Sequence, residues 1–245
     1  MAQVRWFRRP ALAAPALVAL VVLAVTGCSS AGPASPHAAA SSASSHSART
    51  TGSIRYTATQ LRAALLTRIN GQSPAVPVES GAYSSLAVVK AAGTSMHGVA
   101  VQPRQCARTT VTGFSSPPFA QVPATVSTFR VGRNGVSEVL LAPSPATAAL
   151  AMQEQVPASC ARYTATAGGR TFVYTVSERR VRHLGQAARA VNIRATGAEN
   201  INVWSVVYRA SGFVGAVTVV GPDASASVAT ALAAQACAHA ARTLP

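Results

Sequence analysis

Apolar positions along this 245-residue chain change their rhythm several times. Residues 11–25 are an unbroken run of Ala, Leu and Val apart from Pro15, short of the roughly 20 residues a membrane-crossing helix needs. Apart from Arg49, residues 29–53 are Ser, Ala, Gly, Pro, Thr and His with almost no large apolar side chain, too little surface to offset the entropy of ordering. Helix spacing then begins after Thr57, with Leu61, Leu65, Leu66 and Ile69 on one stripe and Asn70-Gly71 closing it. A Ser/Pro-rich stretch leads to a predicted strand at 84–90, and 104–111 reads as a short helix containing Cys106.

The second half is dominated by alternation with a period of two. Residues 125–131 and 136–141 read as paired strands around an Arg133-Asn134-Gly135 turn. Ser144 caps a helix running to about Gln155, with Pro145 in its first position. Residues 160–165 and 170–177 form a hairpin about Gly168-Gly169, and strands follow at 188–194, 203–209 and 213–220. Asp223 or Ser225 opens a final Ala-rich helix to about Arg242. Successive hairpins without βαβ alternation predict an α+β fold, an antiparallel sheet with helices packed on one face, in one domain over 54–245.

The N-terminal pattern changes the picture of where that domain resides. Arg5, Arg8 and Arg9, with no acid beside them, precede the apolar run, which ends in Val25-Thr26-Gly27-Cys28. A basic segment, an apolar segment and small residues before a cysteine resemble a lipoprotein export signal, residues 1–27, with Cys28 the acylated first residue of the mature chain. Two or more acyl chains, at about 0.8 kcal/mol per buried CH₂, hold a protein stably on a membrane. Residues 28–53 then form a flexible tether. The expected location is the extracytoplasmic face of the cell membrane, with membrane lipid as the partner of acylated Cys28.

The formal charge of +15 becomes +12 once residues 1–27 and their three arginines are removed. Lys90 is the only lysine, so the arginine and alanine excess reflects genome composition as much as function. Basic charge outside a cell attracts anionic envelope ligands. Nucleic acid is not expected, because aromatic residues are too few for a stacking surface. The arginines are scattered except for Arg179, Arg180 and Arg182, which with the strand residue Trp204 are the candidate ligand contacts.

Cys106, Cys160 and Cys237 remain in the mature chain. An exported compartment permits one disulfide and a leftover thiol. Cys106 and Cys160 each lie in a polar segment after a proline, whereas Cys237 lies in the last helix, so Cys106–Cys160 is expected and Cys160–Cys237 is the alternative. No close Cys/His spacing suggests a metal, and no motif suggests a cofactor. Five glutamates and one aspartate offer little to carboxylate chemistry; Glu138, Glu154, Glu178 and Glu199 fall on different predicted elements. A Ser-His-Asp site would have to use Asp223 and His97, His183 or His239, with no nucleophile-elbow motif.

The order Pro103-Arg104-Gln105-Cys106, Cys160, the strand at 172–176, His183-Leu184-Gly185, the strand at 202–209 and Gly212-Phe213-Val214-Gly215 resembles the extracellular sensor domain of mycobacterial PknH-type kinases and related actinobacterial envelope lipoproteins. It spans roughly 55–243. The resemblance implies an antiparallel sheet flanked by helices, a ligand cleft and no catalysis. It departs in having three mature cysteines where two disulfides need four. The function expected is therefore a non-enzymatic lipoprotein that binds a small molecule, lipid or envelope polymer as a sensor or accessory component. A protein-interaction module of an envelope complex and an envelope hydrolase are the other classes.

Overall fold

The computed structural model describes residues 56–244 apart from 96–97, 109–111, 154–155 and 198–199. The export signal, Cys28 and the tether lie outside the described residues, as do His97, Glu154 and Glu199. Nine strands form a single antiparallel sheet: β1 (Glu79–Ala82), β2 (Ala100–Gln102), β3 (Pro123–Val131), β4 (Asn134–Leu141), β5 (Arg162–Ala167), β6 (Arg170–Val181), β7 (Ala187–Thr196), β8 (Ile201–Arg209) and β9 (Val214–Val220). Their spatial order is β1-β3-β4-β9-β8-β7-β6-β5-β2. The helices are α1 (Ala58–Ala63), α2 (Ala87–Ser95), α3 (Pro145–Ala151) and α4 (Ala226–Thr243).

Side chains of a strand point alternately to the two faces, so register decides what each face buries. On one face Val136 and Leu140 of β4, Val206 and Tyr208 of β8, and Val217 and Val219 of β9 pack with α1 and α4. The stripe Ala229, Leu232, Ala233, Ala236, Cys237 and Ala240 supplies α4's contribution, at spacings of three and four. Its alanines let the helix lie close to the sheet. On the opposite face, Leu141, Val207, Val214 and Ala216 pack with Val89 of α2 and with Ala148 and Ala151 of α3. Phe172, Tyr174, Val191, Ile193 and Val203 continue that face toward the disulfide Cys106–Cys160. The α+β class and antiparallel sheet are as expected. Helices on one face describes α1 and α4; α2 and α3 lie over the other.

Tyr208 shows how closely the layers fit. Its ring lies across Gly215 on the neighbouring strand, where a Cβ would come 2.2 Å from the ring. The absence of a side chain there is what lets a tyrosine be fully buried between β9 and α4.

Several local expectations shift. Residues 84–90 are not a strand. Leu86, Val89 and Ala92 are buried at helical spacing in a short 3₁₀ turn and α2, and the Glu79 carboxylate accepts the Ala87 and Val88 N–H groups at the helix start. The first helix is only Ala58–Ala63, with a Thr57–Gln60 capping box. Leu65, Leu66 and Ile69 are buried beyond it, and Asn70-Gly71 turn in the left-handed region. The α3 helix ends at Ala151 and not near Gln155, and the 104–111 helix is a 3₁₀ segment, Arg104–Arg108. Val131 pairs with Asn134, so the β3–β4 loop is Gly132-Arg133, one position earlier than expected. Ser225, and not Asp223, caps α4.

Glu138 alternates with Val136 and Leu140 and so points under α1 and α4 with no exposed surface. One carboxylate oxygen accepts the Leu66 N–H at 3.0 Å. The other, like the Tyr208 hydroxyl, has no hydrogen-bond partner among the described residues. Burial pushes the Glu138 carboxyl up from 4.5 to about 7, against the opposing pull of the Leu66 N–H. Burial, followed by the nearby Glu138 and Cys237, pushes the Tyr208 hydroxyl up as well.

A carboxyl that holds its proton more tightly folded than unfolded contributes stability that is fully present below the unfolded pKa and lost as pH rises through the folded one. The window runs from 4.5 to about 7. The unfolding free energy, followed in thermal scans, should fall across it by up to about 1.4 kcal/mol per pH unit and level off above it. Glu138→Gln, which keeps an acceptor for Leu66, should flatten that slope in the same scans; an unchanged slope would assign it to other groups.

Candidate functional site

The sheet carries its chemistry on β6 and β7. Arg189 of β7 lies in an otherwise apolar segment and is 3% exposed. Its Nε donates to the Ala151 carbonyl at 2.7 Å, one terminal nitrogen donates to the Thr112 carbonyl at 2.7 Å, and the other to Glu178 of β6 at 2.9 Å. A single guanidinium thus ties the end of α3 and the 112–114 segment to the sheet. Burial depresses the Arg189 pKa, and the adjoining Glu178 opposes that shift. A planar fork with five donors can satisfy three separate acceptors, which a lysine could not.

Beside this pair opens a cleft of about 470 Å³ lined by Met152, Gln153, Glu178, Arg179, Arg180 and Arg189. Arg180 pairs across the ladder with Arg189, so both project to the α3 side. Arg180 is exposed, and Gln153 is exposed at the end of α3. The cleft therefore has an ionic floor, an exposed cation in Arg180, an amide and the flexible thioether of Met152. That combination suits a small acidic molecule with an apolar part.

The four expected ligand contacts do not converge. Arg179 pairs with Ala190, on the opposite face from Arg180. Its guanidinium lies 5.4 Å from the Trp204 ring centroid, within reach of a cation–π contact. Arg179 lends the cleft only its backbone. Trp204 is half-buried, packed at the edge of the α4 cluster. Arg182 is exposed in the loop between β6 and β7 and meets neither group.

The neighbouring His183-Leu184-Gly185 is a structural corner. Leu184 is buried, and Gly185 has φ +58 with a Cβ position 2.3 Å from the Arg209 carbonyl, where only glycine fits. Arg189 and its partnership with Glu178 went unread in the sequence. The available signal was an arginine at an inward position between Ala188 and Ala190.

The cysteines pair as Cys106–Cys160, with Cα atoms 5.4 Å apart, joining two 3₁₀ segments beneath the β5–β7 face. Cys237 is a buried free thiol, so the Cys160–Cys237 alternative does not apply. Asp223 is held in a two-point contact with Arg133, with Nε at 3.1 Å, and accepts no role beside a described histidine. No group of three His, Cys, Asp or Glu side chains among the described residues could hold a metal.

No family model matches this chain, and no curated protein matches it. Among solved structures, the extracellular domain of PknH from Mycobacterium tuberculosis is similar over 78% of this chain and 100% of its own, with a TM-score of 0.51 and 15% identity. An uncharacterised protein from Mycobacterium smegmatis, the Rv0999 ortholog, aligns with 60% of this chain and 76% of its own at a TM-score of 0.39 and 17% identity. The chain thus has a fold like that of the PknH extracellular domain.

Truncating one partner of a buried ion pair strands the other charge, at a cost of about 3–5 kcal/mol. Arg189→Met should lower the urea-unfolding free energy by that amount, since it also orphans two carbonyls. Arg180→Ser, at an exposed position, should stay within about 0.5 kcal/mol of the parent.

Proposed function

We propose that this chain is a membrane-anchored extracytoplasmic lipoprotein whose α+β domain binds a small acidic ligand in the cleft beneath α3, acting as a sensor or accessory component without catalysis of its own. The observation that carries the reading is the cleft itself: a preformed ionic floor of Arg189 and Glu178 with the unburied Arg180 at its mouth. Ligand sites combine a few convergent polar groups with a concave, largely preformed surface. The Arg189 network fixes the walls, so little ordering cost falls on binding.

The extracytoplasmic placement draws support from the Cys106–Cys160 disulfide, which an oxidising compartment sustains, and from the likeness in fold to an extracellular domain. The export pattern of residues 1–27 and the cysteine after it supply the anchor in this reading. Any signal would pass through a partner.

Two measurements test the proposal. Intact-mass analysis of the protein from membranes should show a chain beginning at an acylated Cys28; an unmodified Cys28 removes the anchor. A thermal-shift screen of di- and tricarboxylates and sugar phosphates should raise the unfolding midpoint by roughly 4 °C or more at saturating ligand. Arg180→Ser should abolish that shift. If no acidic compound stabilises the parent, or if Arg180→Ser responds as the parent does, the cleft is not the binding site.

A further inference from the structure

Among the described residues, none covers the face of the sheet opposite the cleft over β5, β6 and the adjoining end of β7. Helix α4 lies over β8 and β9 and reaches β7 only at its margin. Beyond that margin the residues on this face are exposed or half-exposed, while Phe172, Tyr174, Val176, Val191 and Ile193 between them are buried on the disulfide side. Register puts Arg162, Thr175 and Arg194 in one row across three strands. The next row holds Ser177, Asn192 and Trp204, and Arg179 follows beyond Ser177 on the same side.

Three exposed arginines therefore share one flat surface with a hydroxyl on nearly every intervening position. Of the four described acids, Glu178 is on the other face, Glu138 is under α1 and α4, Glu79 is in β1 at the far edge of the sheet, and Asp223 is engaged by Arg133. None offsets this charge. Two strand spacings separate Arg162 from Arg194 by about 10 Å, and four residues of rise separate the Arg179 row from theirs by about 13 Å. A compact anion could bridge two of them at most, whereas an extended polyanion meets all three.

We propose that this uncovered face is a docking platform for an extended anionic polysaccharide, a surface separate from the cleft. Threonine and serine hydroxyls supply donors and acceptors suited to sugar hydroxyls, and Asn192 adds its carbonyl oxygen as an acceptor, its NH₂ being held by Asn202 and the Val203 carbonyl. Trp204, with Arg179 over its ring, offers an amphipathic edge. A lipid bilayer is the poorer occupant, because membrane-seating surfaces insert large apolar side chains. The exposed large hydrophobics among the described residues, Val76 and Val228, are not on this face. A protein partner would want a central cluster of aromatic and aliphatic anchors, whereas here Trp204 stands at the margin under Arg179 and the centre of the face is polar.

The test uses the full chain as purified, with polygalacturonate as the probe and neutral dextran as its uncharged counterpart. Binding by isothermal titration should be seen with polygalacturonate, be absent with dextran, and weaken with salt. The triple substitution Arg162→Ser, Arg179→Ser, Arg194→Ser should weaken it by about tenfold or more, as three exposed charges of about 0.5 kcal/mol each imply. Arg62→Ser, Arg68→Ser, Arg130→Ser removes the same net charge from exposed positions elsewhere. Equal losses from the two triples would reduce the effect to net charge and overturn the platform. So would absent binding, or a stronger association with phosphatidylglycerol vesicles that the first triple abolishes. Failure of the cleft screen with this result intact would separate the two surfaces.

Discussion

Burial on both faces of the central strands β4, β9 and β8 governs the architecture. A strand covered on one side needs an apolar residue at every second position; one covered on both sides needs them throughout. In β9, Val214 to Val219 are all buried, and in β8 Val203, Val206, Val207 and Tyr208 are. The cover is supplied by the chain segments that flank the strands: α1 and α4 on one side, α2, α3 and the segment about Phe114 and Phe119 on the other. Toward β5 and β6 the described residues cover only the disulfide side, and the buried positions there fall at every second residue, as Phe172, Tyr174 and Val176 do in β6. The sheet is thus divided by its own hydrophobic pattern into a three-layer centre and a two-layer flank. Both proposed binding surfaces lie toward that flank.

Two ionisable side chains inside these layers have opposite fates. Arg189 is surrounded by two carbonyls and a carboxylate, so its charge is retained and becomes a clamp between the sheet, α3 and the 112–114 segment. Glu138 receives one N–H from Leu66 and otherwise faces apolar neighbours. Its easier course is to keep a proton. The difference is one of partner count, not of depth, since both are almost wholly shielded from solvent. A clamp that stays charged holds geometry over a wide pH range; a carboxyl near its midpoint at neutral pH makes the α1 contact sensitive to it.

The sheet was legible in the sequence wherever one or both faces are apolar over six residues or more, which is why β3, β4 and β6 to β9 stand close to their expected bounds. The edge strands were not. β1 is Glu79-Ser80-Gly81-Ala82 and β2 is Ala100-Val101-Gln102, too short and too polar to carry a period. Val88-Val89-Lys90 has β-branched residues that favour a strand, yet the burial of Leu86, Val89 and Ala92 at helical spacing, the first two in one cluster with Phe114 and Phe119, decided for a helix. The Cys106–Cys160 pairing was legible because polar, proline-preceded segments mark surface turns, where two cysteines can meet. The cleft was not, because the partners of Arg189 come from positions 38 and 77 residues away.

Arg179 and Arg180 show why clustering in sequence is a poor guide to clustering in space within a strand. Adjacent residues of β6 face opposite sides, so the compact basic motif of the sequence is divided between the cleft and the open face. Arg162 and Arg194, isolated in the sequence, are brought by the antiparallel register to either side of Thr175. The positive surface is therefore assembled from residues 32 positions apart, and the order in which the strands pair, β7-β6-β5, is what builds it. Any substitution that slipped the β5–β6 register by one residue would turn Arg162 inward toward the disulfide and dismantle the charged row without altering the net charge at all.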